Sequence, residues 1–221
     1  MQQNIDKLNT VIFDMDGVLF DTEKVYLDVW TKVFEKHGYK ITKEIYCKVI
    51  ATGRENVKKV FKEEFGKNLP IEEMYKEKDK ALEEEIKKGI PIKDGAYELL
   101  KYLKYKKYKL ALATSASRER MVKQLNQSNF KHIFDAVVCR DDVKKTKPNP
   151  EIFLKAAKKL KVNPQECIVI EDSSVGVEAA YKGKMTPIHV VDLKEADEKI
   201  KSYSYRSFNS LYEIKGYFMG E

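Results

Sequence analysis

The stretch that decides the fold is Leu8-Asn9-Thr10-Val11-Ile12-Phe13-Asp14-Met15-Asp16-Gly17. Thr10, Val11 and Ile12 are β-branched and the run is apolar, so Leu8–Phe13 reads as a short strand that ends abruptly in two acids and a glycine. From about Glu23 to Ile90 strand signals almost vanish. Tyr26, Val29, Trp30, Val33, Phe34 and His37 fall at i, i+3, i+4 spacing on one helical face. Val57, Val60, Phe61 and Phe65 repeat the pattern, as do Ile71, Met74, Tyr75, Leu82 and Ile86. Breaks are expected near Gly38, Gly53 and Asn68-Leu69-Pro70.

After Pro91 the texture alternates. A helix carrying Ala96, Leu99, Leu100 and Leu103 precedes a strand at Tyr108–Ala113, and a helix at Arg118–Asn129 precedes one at Phe134–Cys139. A helix at Pro150–Lys161 precedes a strand at Cys167–Ile170, and a helix at Val175–Lys182 precedes one at Thr186–Val191. Such a rhythm predicts βαβ units, an α/β fold whose doubly wound parallel sheet is covered on both faces. The first strand belongs to that sheet although a helical segment intervenes. The expectation is a discontinuous core, residues 1–22 and 91–221, interrupted by an all-α domain at 23–90. Phe20–Thr22, Pro91 and Gly95 are the expected hinges.

Composition narrows the function classes. The 221 residues are 43% hydrophobic and 35% charged, with a net charge of +7. This apolar content excludes a disordered polyampholyte. No apolar run approaches the roughly 20 residues of a membrane helix, so no membrane partner is expected. Met1–Lys7 lacks the apolar stretch of a secretory signal. Cys47, Cys139 and Cys167 are far apart and read as small buried residues of a reduced cytoplasm. The positive charge invites a nucleic-acid reading, with Tyr102, Tyr105 and Tyr108 set among lysines. Yet Leu99, Leu100 and Leu103 define the buried face of that helix. Glu23–Ile90 holds 16 basic and 14 acidic residues, so the excess is spread over the molecule. A nucleic-acid platform would gather it, and none is expected as a partner.

In an open parallel sheet, ligands bind at the carboxyl ends of the strands, near the point where strand order reverses. Those ends carry Asp14-Met15-Asp16-Gly17, Thr114-Ser115, Lys145-Thr146-Lys147-Pro148-Asn149-Pro150 and Glu171-Asp172-Ser173-Ser174. Clustered carboxylates repel, so the rim requires a cation, and hard oxygen ligands suit Mg²⁺. A magnesium ion, a lysine and a hydroxyl describe a cradle for a phosphoryl group. A carboxylate can attack phosphorus and form an aspartyl-phosphate.

Asp14-Met15-Asp16-Gly17-Val18, Thr114-Ser115, Lys147-Pro148 and Glu171-Asp172 resemble, in order and context, the four motifs of the haloacid dehalogenase-like superfamily. The resemblance covers essentially the whole chain and is strongest to the β-phosphoglucomutase-like members and their sugar-phosphate phosphatase relatives. The helical segment is similar to that family's small cap domain. The resemblance implies a Rossmann-like core with Asp14 as nucleophile and metal ligand, and Asp16 as general acid and base that ligates Mg²⁺ through its backbone carbonyl. It makes Thr114 and the Ser115 amide the groups that bind phosphoryl oxygens, and Lys147 the charge between nucleophile and phosphate. Asp172 completes the metal shell, with Glu171 helping directly or through water.

In the cap, Arg54 stands where family members place a substrate-facing loop and would clamp a second phosphate or a sugar hydroxyl. Lys78 lies on the apolar face with Met74 and Leu82, so it either snorkels out or points into the interdomain cleft, and the resemblance aligns it roughly with a substrate-facing cap lysine of the mutases. Tyr26 stands where the mutases tend to have a histidine. It also begins the apolar stripe through Val29 and Trp30, and core packing is its expected role. His37, His132 and His189 lack ligand spacing and read as incidental.

The implied function is a Mg²⁺-dependent phosphatase, cytoplasmic and monomeric, acting on a small phosphorylated metabolite, a sugar phosphate. A β-phosphoglucomutase-like isomerase is the alternative, in which a sugar hydroxyl replaces water. Metal-free dehalogenation needs no second aspartate, so Asp16 argues against it. Arg54 cannot form the imine of phosphonate cleavage. A stable phospho-aspartate signalling module conflicts with Asp16 as a built-in base.

Overall fold

A computed structural model describes residues 8–50 and 52–221; the leader-peptide expectation for residues 1–7 lies outside the described residues. The described residues divide into two compact units, one formed by residues 8–20 together with Ile92–Glu221, the other by Asp21–Pro91.

The first unit holds a parallel sheet of six strands: β1 (Thr10–Phe13), β2 (Lys109–Ala113), β3 (Ala136–Val138), β4 (Cys167–Glu171), β5 (Thr186–Val190) and β6 (Arg206–Phe208). Their spatial order is β3-β2-β1-β4-β5-β6. Order reverses between β1 and β4, which run in register from Thr10 opposite Cys167 to Phe13 opposite Ile170. All four residues of β1 and all five of β4 are buried. Such uninterrupted burial along a strand occurs only where both sheet faces are covered. β6 was not expected from sequence, because Arg206-Ser207-Phe208 has two exposed residues and no apolar run.

Ten helices accompany the sheet among the described residues: α1 (Thr22–Lys36), α2 (Lys43–Cys47), α3 (Arg54–Phe65), α4 (Ile71–Lys88), α5 (Ala96–Tyr105), α6 (Arg118–Gln127), α7 (Glu151–Leu160), α8 (Ser174–Lys182), α9 (Glu198–Tyr203) and α10 (Leu211–Met219). The first four make up the second unit. On one sheet face Ile12, Ala111, Ala113, Cys167 and Val169 share a core with Phe153, Ala156 and Ala157 of α7 and Ala179 and Ala180 of α8. Alanine at so many facing positions lets helices and sheet approach closely. Ser117 and Ser173 cap α6 and α8 by accepting the backbone N–H of Arg120 and Gly176 at 3.3 and 3.1 Å. These caps start both helices directly beyond β2 and β4.

The second unit is organised around aromatic rings. Trp30 meets Tyr75, Phe61 and Phe34 edge-on, with centroids 5.0, 5.3 and 5.8 Å apart. Each such pair contributes about 0.5–1.5 kcal/mol beyond its buried area. The three expected breaks separate α1 from α2, α2 from α3 and α3 from α4. Among the described residues no helix is long and apolar enough to cross a membrane. Cys139 and Cys167 are buried as expected, whereas Cys47 is half-buried.

Candidate active site

The β1 ladder continues one residue past the strand, where the Asp14 N–H donates to Ile170 O at 3.0 Å. That bond fixes the Asp14 carboxylate beside the end of β4. The chain then curls. Gly17 N–H donates to Phe20 O at 2.9 Å, and Leu19 and Phe20 N–H both reach Met15 O. Gly17 turns with φ of +74°, and a Cβ there would lie 2.2 Å from Asp172 Oδ2. Glycine is therefore required twice over, for its backbone and for the space that Asp172 occupies.

Lys147 extends a side chain only 6% exposed between two strand ends. Its Nζ donates to Asp14 Oδ1 at 2.5 Å and to Glu171 Oε1 at 2.6 Å. The other Glu171 oxygen accepts the Ser173 N–H at 2.8 Å and the Ser173 hydroxyl at 2.9 Å. Burial pushes the Asp14 carboxyl up to about 7, against the pull of Lys147. Burial opposes the charge of Lys147, but Asp14 and Glu171 outweigh it and hold the ammonium above the usual lysine range. For Glu171, burial is likewise outweighed by Lys147 and Ser173, and the carboxyl stays below its ordinary value.

One oxygen from each of Asp14, Glu171 and Asp172 lies within 4.8 Å of the other two. Three carboxylates face one ammonium, which leaves two negative charges over if all are ionised. An all-oxygen set with that deficit fits a divalent cation.

Thr114 is fully buried beyond β2, where its N–H donates to Val138 O at 3.0 Å. Its hydroxyl accepts the Ala116 N–H at 3.0 Å, holding the turn in which Ser115 is exposed. The Asp16 side chain, whose charge also acts to raise the Asp14 carboxyl, forms an ion pair with Arg120 of α6. The first unit thus carries Asp14, Asp16, Thr114, Ser115, Lys147, Glu171 and Asp172 at the carboxyl ends of adjacent strands or just beyond them.

Arg54 and Lys78 belong to the second unit and join there on one acid. Asp79 Oδ2 accepts from Arg54 Nη2 at 3.0 Å, and its Oδ1 lies 2.5 Å from Lys78 Nζ. Lys78 is only 8% exposed, so it does not snorkel out. Tyr26 is half-buried rather than core, because its ring flanks the Lys78 ammonium at 5.6 Å. Both residues line a pocket of about 280 Å³.

Sequence reasoning missed three supports. Arg120 sits in the first turn of α6, where a cation opposes the helix dipole. That mismatch was a readable sign that a carboxylate lay near it. Lys93 Nζ donates to Gly17 O at 2.7 Å and to Asp192 Oδ1 at 2.5 Å, pinning the curled loop to the end of β5. His189, read as incidental, is fully buried between Ser207 Oγ at 2.6 Å and Asp172 O at 3.2 Å. A carbonyl can only accept, so Nε2 carries a proton and Nδ1 takes the Ser207 hydroxyl in the neutral ring. Burial lowers the pKa of this imidazole, which favours that neutral form.

A family model described as haloacid dehalogenase-like hydrolase matches residues 11–190. The chain is 34% identical to a phosphorylated carbohydrates phosphatase of Thermotoga maritima, covering 83% of this chain and 85% of that one. It is 32% identical to a (DL)-glycerol-3-phosphatase of Arabidopsis thaliana, over 82% of this chain and 79% of that one. A β-phosphoglucomutase crystal structure from Clostridium difficile is similar at a TM-score of 0.69 and 26% identity, covering 96% of each chain.

Proposed function

The chain belongs to the haloacid dehalogenase-like hydrolase family, and on that premise we propose that it is a magnesium-dependent phosphatase of a small sugar phosphate. The observation that carries this reading is Lys147 bridging the buried Asp14 and Glu171 at 2.5 and 2.6 Å. A nucleophilic carboxylate must meet an anionic phosphate without being repelled, and a buried ammonium between them reduces that repulsion.

Asp14 attacks phosphorus, forming an Asp14–phosphate bond as the bond to the substrate alcohol breaks. Asp16 delivers a proton to the departing oxygen. In the second step Asp16 removes a proton from water, whose oxygen displaces Asp14 and releases inorganic phosphate. Thr114 and the Ser115 N–H hold phosphoryl oxygens through both steps. Asp14 and Asp172, with the Asp16 carbonyl and Glu171, would hold Mg²⁺, which supplies neutralising charge for the phosphoryl group. In this reading the helical unit is the cap, and Arg54 and Lys78 recognise the alcohol part.

A mutase reading draws on the likeness to β-phosphoglucomutase. One experiment separates the two. A panel of sugar phosphates is incubated with the protein and Mg²⁺, following both free phosphate and isomerised sugar phosphate. Hydrolysis predicts phosphate release that disappears in Asp14→Asn. Turnover surviving that change would sink the mechanism. Glucose 6-phosphate appearing from β-glucose 1-phosphate faster than free phosphate would select the mutase.

A further inference from the structure

We infer that the pocket of the helical unit selects esters whose alcohol carries no second phosphate, so that the enzyme discriminates against sugar bisphosphates. The inference rests on the phosphatase reading and deepens it. The pocket, about 280 Å³, lies just below the usual range of roughly 300–1,000 Å³ for ligand sites and suits one sugar-sized group. Its charged walls are Arg54, Lys78, Glu23 and Asp79, two cations and two anions. Both cations converge on one carboxylate. Asp79 Oδ2 takes Arg54 Nη2 at 3.0 Å, and Asp79 Oδ1 takes Lys78 Nζ at 2.5 Å. Glu23 Oε2 accepts the Tyr46 hydroxyl at 2.7 Å.

A second phosphate, carrying about −1.5 to −2 charges, would enter a pocket of zero net formal charge. It would have to take both cations from Asp79 and then lie against the carboxylate it displaced. An uncharged polyol meets no such conflict. An ammonium has three donors and a guanidinium five, so Lys78 and Arg54 keep donors for hydroxyls while Asp79 balances their charge. The rings of Tyr75, Tyr26 and Trp30 stand 5.3, 5.6 and 5.9 Å from Lys78 Nζ. They narrow the surroundings of that ammonium to a group with an apolar face and hydroxyl edges. The same charge balance favours hydrolysis over mutation, because a phosphosugar mutase must hold a bisphosphate as its intermediate.

The test is binding to Asp14→Asn protein with Mg²⁺, measured by calorimetry. Probes are matched pairs: glucose 6-phosphate with glucose 1,6-bisphosphate, and fructose 6-phosphate with fructose 1,6-bisphosphate. Monophosphate should bind at least tenfold more tightly than its bisphosphate. Adding Asp79→Asn should shrink that ratio at least fivefold by tightening the bisphosphate. Asp79→Glu, which restores the charge, should return the preference. The Asp79 side chain is 49% exposed, so both substitutions leave the aromatic core in place. Equal or tighter bisphosphate binding, a ratio unmoved by Asp79→Asn, or failure of both monophosphates to bind would overturn the inference. The phosphatase reading fails on a different result, turnover that survives Asp14→Asn.

Discussion

A Cβ on Gly176 would lie 1.8 Å from Glu171 Oε1, so α8 abuts the carboxylate that closes β4 only because residue 176 has no side chain. Glu171 has no room to yield, since one oxygen holds Lys147 and the other holds Ser173 twice. Gly176→Ala gains helix propensity of about 1 kcal/mol, but overpacking costs about 1–3 kcal/mol and displaces Lys147 as well. The expected outcome is unchanged or lower stability in urea unfolding with turnover down more than tenfold. A variant with parental turnover would show that α8 can recede from Glu171 without disturbing the site.

Lys147 is the cation shared by Asp14 and Glu171, and Lys147→Met leaves both carboxylates buried without it. Breaking a buried ion pair from one side costs about 3–5 kcal/mol. Metal-free Lys147→Met should therefore unfold at clearly lower urea, with turnover lost more than a hundredfold. Magnesium chloride should raise the melting temperature of the variant more than that of the parent, because the uncompensated charge is larger. Equal shifts in both proteins would argue that the acid cluster does not hold the ion.

Arg120 pairs with Asp16 across a sequence separation of 104 residues, and the Arg120 side chain is 23% exposed. If that pair aims Asp16 at the leaving oxygen, Arg120→Ala should lower kcat about tenfold while KM stays within about twofold. Arg120→Lys keeps the charge and should recover part of kcat. A rise in KM at constant kcat would instead place Arg120 in substrate binding.

Residues that carry their meaning in local pattern were legible in the sequence. Thr10–Phe13 reads as a strand because every member is buried, and the acids follow because parallel strands deliver their ends to one rim. β3 is shorter than expected, Ala136–Val138 within Phe134–Cys139, because only Val138 of its three residues is buried at the sheet edge. Lys78 was placed on the apolar face of α4 from spacing alone. The partner that neutralises it, Asp79, was not seen, because adjacent residues on a helix point in different directions and only long side chains bring them together. Lys93 and His189 were invisible for another reason. Lys93 meets Gly17 across 76 residues and His189 meets Asp172 across 17, and only the folded core creates these contacts.

Asp135 clamps the outer part of the sheet and gives it a dependence on pH. Its Oδ2 accepts the Leu110 N–H at 2.8 Å, its own N–H donates to Leu110 O at 2.8 Å, and its Oδ1 takes Lys104 Nζ at 2.8 Å. Burial works against the charged form, but Lys104 and the Leu110 N–H outweigh it, so the carboxyl lies below its ordinary 3.8. A depressed acid contributes stability that is present above its unfolded pKa and is lost as pH falls through the lower folded value. The side chain is 43% exposed, and solvent screening holds the contribution to less than about 1 kcal/mol. Asp135→Asn keeps an oxygen for Leu110 but removes the charge and its titration. Its stability deficit, read from urea midpoints, should be constant above about pH 5 and shrink as pH falls below about 4, where the parent loses the same term. A deficit that stays constant down to pH 3 would mean that Asp135 acts through its shape and not through its charge.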